Sequence, residues 1–343
     1  MINKSLFKNK KIYEKKAFIA VLVLAVVLVF CAADLCFDNF GIKSEKQIMV
    51  SIPKGAGIKE TAKLLKEEGV IKHPLAFRLT AKKQDFLIQQ GGHKLNRSMS
   101  YGEILKKLSS LPDISADSII NVVIPEGYEL SEIATAFEKK GLFSKEDFLK
   151  EAEEGDFDFE FLKDAKKGEN RLEGYLFPAT YEIRLGENPH SVILKMLEAF
   201  EKRIIPIYDK AQTNFSLHEV LTLASIIERE AAGDGERALV SSVFYNRMEK
   251  DMTLSSCATV QYILKERKKV LSVSDTKIKS PYNTYQNKGL PPAPIASPGE
   301  ASFRAALYPE KSDYLYFAAN PNGGGSVFSK TGEEHMKNAE KLK

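Results

Sequence analysis

The chain has 343 residues, is 43% hydrophobic and 28% charged, and carries a formal net charge of +4. That composition excludes an intrinsically disordered chain, and the length suffices for two or three domains with cores of their own. Residues 1–16 hold six Lys and one Glu, a net of +5, so 4 minus 5 leaves −1 for everything after them, with no basic run of the kind that binds nucleic acid.

Residues 17–37, AFIAVLVLAVVLVFCAADLCF, are apolar apart from Asp34. At 1.5 Å of rise per residue, about 20 residues cross the ~30 Å hydrocarbon layer. The alternative is a cleaved signal peptide. The run is longer than a typical apolar region of about 7–15 residues, and no clear small-x-small site follows it, Ala32-Ala33 coming nearest. A retained single transmembrane helix over 17–37 is therefore predicted. Phe30 before Cys31 argues against a lipoprotein signal. The positive-inside rule keeps 1–16 as a cytoplasmic tail and places the rest outside, a single-pass arrangement in the cell (inner) membrane. Cys31 and Cys36 belong to this segment and Cys257 stands alone beyond it, so no disulfide framework is predicted. The five His show no HExxH or other metal spacing, and neither metal nor cofactor is predicted. Stability has to come from core packing.

Beyond the anchor the chain repeats itself. VSIPKGAGIKETAKLLKEEGVI (50–71) aligns with VVIPEGYELSEIATAFEKKGLF (122–143) at a constant offset of 72. Each copy reads as a short strand, a Pro-x-Gly turn, an amphipathic helix, a Gly stop and a hydrophobic exit. Ile52/Ile124, Pro53/Pro125, Gly55/Gly127, Ala62/Ala134 and Gly69/Gly141 coincide, and Gly69 and Gly141 suit helix C′ positions. Two copies are too few for a solenoid, so two related small α+β units are predicted. Chance reuse of a common strand–turn–helix is the plainer alternative.

Helix signals are strong in the second half. Asn188-Pro189 offers a cap followed by Pro at the first helical position. Ser216-x-x-Glu219, Ser297-x-x-Glu300 and Thr331-x-x-Glu334 read as capping boxes. SPYNTYQNKGLPPAPIASPG (280–299) is long for a loop, but Tyr282, Asn283, Tyr285, Leu290 and Ile295 make it too apolar and aromatic for a floppy linker. A rigid, packed loop is predicted. YLYFAA (314–319) and SVFS read as two strands joined by the Gly-rich turn NPNGGG.

The stretch LASIIEREA (223–231) draws attention to Glu228. At 100° per residue, Val220, Leu223, Ala224, Ile227 and Ala231 form one apolar face, with Arg229 pointing away and Glu228 and Glu230 on opposite shoulders. Glu228 has Ala224, Ser225, Ala231 and Ala232 around it, all small. Glu230 has Ile226 and Ile227 on one side and Gly233 and Asp234 on the other. Glu228 therefore stands in a shallow hollow, which either another helix or a substrate could fill. A carboxyl in a partly apolar hollow has its charged form disfavoured, which suits it to donate a proton at neutral pH and take one back. Glycosidic bond cleavage needs such a group. Ordinary glycosidases add a second carboxylate, and Asp234, Glu236 and Asp275 are possible partners that spacing does not separate. Tyr181, Tyr282 and Tyr285 offer flat faces for sugar rings, and Asn246, Asn283 and Gln286 offer paired donors and acceptors. Singly, each reads more simply as a packed Tyr or a turn Asn or Gln.

LASIIEREA, SSVFYNRM, MTLSSCATVQY, SPYNTYQNKGLPPAPIASPG and DYLYFAANPNGGGSVFSKTGEEH, in that order, together with EGYLFPATYEI (173–183), resemble the endolytic murein transglycosylases of the YceG-like family. The resemblance covers nearly the whole chain. It implies an α+β architecture: the transmembrane helix, a LysM-like α+β subdomain over 46–119, and a mixed α/β catalytic domain over 120–343 that contains the repeat-related unit 122–152. It implies Glu228, not Glu230, as the catalytic residue, with Thr259 and Gln261 joining Asn246, Asn283, Tyr181, Tyr282 and Tyr285 as substrate-binding residues. The family cuts β-1,4 bonds between N-acetylmuramic acid and N-acetylglucosamine inside glycan strands. The sugar's own 6-hydroxyl attacks, leaving a 1,6-anhydro end, so one carboxyl serves twice. Implied partners are peptidoglycan strands, the membrane and cell-wall synthases. Two departures stand out: Cys257 where the family motif has Asp, and Ser326 where His is frequent. Two other functions compete, a glycan-binding scaffold without turnover and a true glycan hydrolase.

Overall fold

The computed structural model describes residues 46–342, apart from 54, 83–85, 116–117, 164, 166–167, 269 and 321–324. The apolar run 17–37 and the turn residues 321–324 lie outside the described residues. Among the described residues, no helix is long and apolar enough to cross a membrane. The chain divides into two compact units, one reaching to Ile119 and including Arg184–Gly186, the other comprising Ile120–Ile183 and Glu187 onward.

In the first unit, β1 (Gln47–Ile52) pairs antiparallel with β2 (Gly91–Asn96), Val50 opposite His93 and Ile52 opposite Gly91. Helices α1 (Ile58–Glu67) and α2 (Pro74–Lys82) lie between the strands in sequence, and α3 (Tyr101–Ser109) follows. Alternation in β1 turns Val50 and Ile52 inward, where they meet Ala62, Leu65, Phe77, Ala81, Ile104 and Leu105 from the helices. A capping box that the sequence reading passed over, Ser100 with Glu103, starts α3.

The second unit begins with the other copy of the repeat: β3 (Ile119–Val123), α4 (Leu130–Lys139), α5 (Lys145–Glu154), β4 (Thr180–Arg184) and α6 (Pro189–Tyr208). β3 pairs with β4. The offset of 72 holds for the strand starts, for both ends of α1 and α4, and for the glycines: Gly55 and Gly127 have φ of +80° and +76°, Gly69 and Gly141 of +64° and +72°. Just past each helix the same closing bond forms, Val70 N–H to the Leu65 carbonyl and Leu142 N–H to the Phe137 carbonyl. The likeness continues into the next helix. Phe77 and Ala81 of α2 are buried as Phe148 and Ala152 of α5 are, now one residue closer in spacing. Chance reuse of one strand–turn–helix accounts poorly for a matching second helix. Gly55→Ala tests the turn by itself, since an added Cβ meets nothing within 4 Å and only the left-handed φ is penalised. A loss of about 1–2 kcal/mol is expected, read as a lower denaturant midpoint at unchanged slope.

The rest of this unit is α7 (Leu217–Glu230), α8 (Arg237–Glu249), α9 (Cys257–Leu264), α10 (Glu300–Leu307), the hairpin of β5 (Tyr316–Ala319) and β6 (Ser326–Ser329), and α11 (Gly332–Lys341). The described residues are α+β, with three two-stranded sheets among them. Ser216 and Glu219 form the predicted box at the start of α7, and Asn188 caps α6 with Pro189 behind it. Thr331 caps α11, but the Glu334 carboxylate takes the Lys330 N–H instead of completing the box. Ser297 caps nothing. Gly299 occupies the cap position of α10, because the Ser297 backbone is engaged with the turn 127–128: Gly127 N–H donates to the Ser297 carbonyl and Ser297 N–H to the Tyr128 carbonyl, both at 2.8 Å. The 280–299 loop is packed as predicted, with Asn283, Thr284, Ile295, Ala296 and Ser297 all buried. β5 starts at Tyr316, two residues later than the motif suggested, and Phe317 faces Phe328 across the hairpin.

Candidate active site

Helix α7 is not amphipathic. Every residue from Val220 to Ile227 is buried, so Leu221, Thr222, Ser225 and Ile226 belong to the core along with the predicted face. Helices α8, α9 and α10 all pack against it. Its buried hydroxyls are satisfied locally: Ser225 Oγ donates to the Thr222 carbonyl and accepts the Ile295 N–H at 3.0 Å, which ties the 280–299 loop to the helix. The helix ends at Glu230. Ala231 is extended, with φ −72° and ψ 130°, and so leaves the helical face the sequence assigned to it.

Three charged residues close the helix, and each has its own partner. Glu228 has a side chain only 6% exposed. Its Oε1 lies 3.1 Å from Arg237 Nη2, and its Oε2 accepts the Gly299 N–H at 2.9 Å. Arg237 is the first residue of α8, and its Nε donates to Ser302 Oγ at 2.8 Å, which fixes the plane of the guanidinium. Gly127 backs the site, where an added Cβ would stand 3.6 Å from Glu228 Cγ. The space beside Glu228 is closely approached by the backbones of Gly127 and Gly299. Its chemistry is different from the apolar hollow expected, since a guanidinium and a backbone N–H aim at the carboxylate.

Arg229 does not point away into solvent. Its side chain is 8% exposed, 3.5 Å from Glu129, and it donates to the Gly127 carbonyl at 3.4 Å. Its long stem lets the guanidinium fold back over the turn. Glu230 turns to the other side, accepting from Ser256 Oγ at 2.5 Å and Ala258 N–H at 3.1 Å. It thereby supplies an acceptor to the open N-terminus of α9, while burial pushes its carboxyl above the ordinary range. Glu230→Ala is expected to cost about 1–3 kcal/mol of stability by stranding those donors. Denaturant melts of the variant and the wild type measure it.

The structure brings together fewer of the predicted contact residues than the motifs implied. Tyr285 is half-buried, its hydroxyl 3.1 Å from the sulfur of exposed Cys257, and burial holds that hydroxyl protonated. Tyr282 is half-buried too, with its ring 5.2 Å from that of Tyr262. The others serve the framework. Asn283 is fully buried and donates to the Thr276 and Ile278 carbonyls. Thr259 is fully buried between the Ser256 carbonyl and Thr284 Oγ1. Tyr181 is buried and donates to the Phe177 carbonyl at 2.5 Å. Asn246 holds the carbonyls of Ser312 and Tyr314, Gln261 holds that of Lys268, and Gln286 that of Thr276. The amide and hydroxyl donors of these side chains are thus engaged inside the fold.

Two of the three possible second acids, Glu236 and Asp275, have partners elsewhere. Glu236 accepts from the Ala232 and Ser326 backbone N–H groups and from Ser326 Oγ, pinning the hairpin. Ser326 thus has a structural partner of its own. Asp275 accepts from the Ser272 N–H and pairs with Lys268; the Ser272 bonds hold its carboxyl below the ordinary range. The side chain of Asp234 lies outside the described residues. The carboxylate that does reach the site is Glu126, from the Pro-x-Gly turn of the repeat. Its Oε2 is 4.0 Å from Arg237 Nη2, and its carboxyl lies over Gly299, where an added Cβ would fall 1.9 Å from Oε1. A signal for it existed in the repeat: Pro53-Lys54-Gly55 becomes Pro125-Glu126-Gly127, a charge reversal in an otherwise matched turn.

A cleft of about 410 Å³ opens at the other end of α7, lined by Phe161, Tyr208, Leu217 and His218 among others. Its carboxylates, Glu160, Glu201 and Asp209, are all exposed. Glu228 is by contrast enclosed and doubly held, with the Glu126 carboxylate nearby. That arrangement defines the class, a protein with an enclosed carboxylate held by an arginine and a backbone N–H at the end of a buried helix. The YceG-like family model matches residues 50–341. An endolytic murein transglycosylase of Bacillus subtilis (strain 168) is 35% identical over 311 residues, which cover 87% of this chain and 85% of that protein. One of Streptococcus pneumoniae serotype 2 is 34% identical over 320 residues, 86% of this chain and 58% of that longer protein. The crystal structure of a yceG-like protein from Listeria monocytogenes is 38% identical, with a TM-score of 0.58, covering 86% of this chain and all of that one. The chain belongs to the YceG-like family.

Proposed function

We propose that this chain is a membrane-anchored endolytic lytic transglycosylase that cuts nascent peptidoglycan. The observation that carries the reading is Glu228, an enclosed carboxylate gripped by Arg237 and the Gly299 N–H at the end of a buried helix. Family membership and the names of the relatives at 34–35% identity supply the reaction class. In the reaction, protonated Glu228 donates to the bridging oxygen between N-acetylmuramic acid and N-acetylglucosamine as the bond to C1 breaks. The 6-hydroxyl of the same muramic acid attacks C1, and its proton returns to Glu228. No water enters, and the attack is intramolecular and favoured by proximity. The rigid grip on the carboxyl keeps it in one place for both proton transfers.

Anchoring follows from residues 17–37 and the +5 charge before them. A tether at the bilayer raises the effective concentration of strands being made there and brings the protein alongside cell-wall synthases. The unit over 46–119 is the LysM-like, glycan-binding module of this reading, and the catalytic domain spans 120–343. Tyr282 and Tyr285 are the aromatic faces still open enough to meet a sugar ring.

Glu126 favours a second reading, hydrolysis, because two carboxylates near one another can also activate water. Digestion of uncrosslinked glycan strands followed by mass spectrometry separates the two. Anhydro ends, one water lighter, are expected; reducing ends alone would establish a hydrolase. Fragment-free binding by the intact protein would establish a scaffold.

A further inference from the structure

Basic residues and leucines share the outer face of the first unit. On α1, Lys59, Lys63 and Lys66 stand at i, i+4 and i+7, all exposed, while Thr61, Ala62 and Leu65 are buried. On α2, Leu75, Arg78, Leu79 and Lys82 stand at i, i+3, i+4 and i+7, while Phe77 and Ala81 are buried. Leu75 is 71% exposed and Leu79 62%. The two helices border a groove of about 630 Å³, whose charged lining is Lys59, Lys63, Lys66 and Arg78 against Glu60 alone. Of these four cations only Lys63 has a carboxylate partner among the described residues, Glu67 at 3.5 Å.

We propose that this face of α1 and α2 docks on the anionic lipid surface in which the chain's own anchor sits. The inference rests on the anchoring by residues 17–37 given above. Residues 38–45 separate that segment from the first unit, and at no more than about 3.6 Å per residue they keep the unit within about 30 Å of the bilayer. A unit of this length has a radius of gyration of about 11 Å, so the tether lets any of its faces reach the lipid. Charge selects the face. Lys and Arg side chains pair with lipid phosphates, each strengthening partition by about fivefold, and Leu75 and Leu79 suit the boundary between head groups and acyl chains. The tether makes such a weak contact effective. The second copy of the repeat shows that the scaffold does not need these residues. With the offset of 72 along the first helix and 71 along the second, Lys59, Lys63 and Lys66 align with Ser131, Thr135 and Glu138. Leu75, Arg78, Leu79 and Lys82 align with Glu146, Leu149, Lys150 and Glu153. These seven positions hold five cations and no carboxylate in the first copy, but one cation and three carboxylates in the second. Helices that fold equally well without the basic face leave it to serve something outside the fold. None of the seven residues is aromatic, so the face offers no ring on which a sugar could stack.

The chain has no Trp, so Leu79→Trp gives the full-length protein a single fluorophore on this face. The protein is reconstituted in vesicles of phosphatidylcholine alone or of an equal mixture with phosphatidylglycerol, with brominated acyl chains as the quencher. Blue-shifted, quenched emission is expected in the mixture and not in phosphatidylcholine, and about 1 M salt should reverse it. Adding Lys59→Gln, Lys66→Gln and Arg78→Gln together is expected to lower the ratio of docked to undocked protein roughly 100-fold and so abolish the quenching. Lys150→Trp, in an otherwise unaltered chain, carries the fluorophore to the equivalent position of the second copy, and its emission should not depend on lipid charge. Quenching of Leu79→Trp that is the same in both lipids, or absent from both, overturns the proposal, as does an equal effect of anionic lipid at Lys150→Trp. A shift in the Leu79→Trp emission when uncrosslinked strands are added to phosphatidylcholine vesicles would assign the face to glycan and overturn it too. Anchoring is read separately, from retention of the wild-type chain on vesicles in alkaline carbonate. A chain that washes off removes the anchor and this proposal with it, whereas a chain that stays but shows no lipid-dependent quenching removes only the proposal.

Discussion

Glu228→Gln is expected to lower strand cleavage by about 10²–10⁴-fold at neutral pH, the range carried by a positioned general acid or base. The side chain keeps its shape, and its amide oxygen still accepts from Arg237 or Gly299, so the fold should survive. What is lost is the ionisable carboxyl proton. Time courses of muropeptide release, with circular dichroism to confirm folding, check this. A folded Gln variant cutting at the normal rate would remove Glu228 from the chemistry.

Glu173→Gln is expected to stabilise the protein near neutral pH. Glu173 is 2% exposed; it accepts the Leu130 N–H at 2.9 Å, at the first residue of α4, and the Tyr262 hydroxyl at 3.3 Å. Burial raises its carboxyl from 4.5 to about 8. Below pH ~4.5 the group is protonated in both folded and unfolded chains and contributes no pH dependence. As pH rises towards 8, the unfolded chain releases this proton while the fold retains it, so stability falls across that window and levels off above it. Gln keeps the acceptor for Leu130 without the proton. The gain should be about 2–4 kcal/mol at pH 7 and vanish near pH 4. Denaturant melts of both proteins at the two pH values measure it. An equal difference at both would mean that Glu173 is not held neutral in the fold.

Much of the architecture could be read in one dimension because its causes are local. The repeat was visible since each unit needs Gly at the same two positive-φ positions and apolar residues at the same inward ones, Val50 with Val122 and Ala62 with Ala134. The caps at Asn188 and Ser216 were visible since they satisfy N–H groups only three residues away. Ser297 failed as a cap because a partner 170 residues earlier in the chain claimed its backbone. The same distinction divides the site residues. Glu228 stood out through its small neighbours along one helix. Asn283, Thr259 and Tyr181 looked like ligand contacts, but their partners lie within the fold and consume their hydrogen bonds.

The sequence by itself determined where the helices start, where the chain must turn, which acid is set among small residues and which family's motifs follow one another. Those properties depend on neighbours within about four positions, whose spacing the covalent chain dictates. Only the tertiary structure decided the charge environment of that acid. Arg237, Gly299 and Glu126 reach it from three separate segments, up to 102 positions away in the case of Glu126. Electrostatic interaction falls off with distance in space, and no periodicity in the chain encodes it.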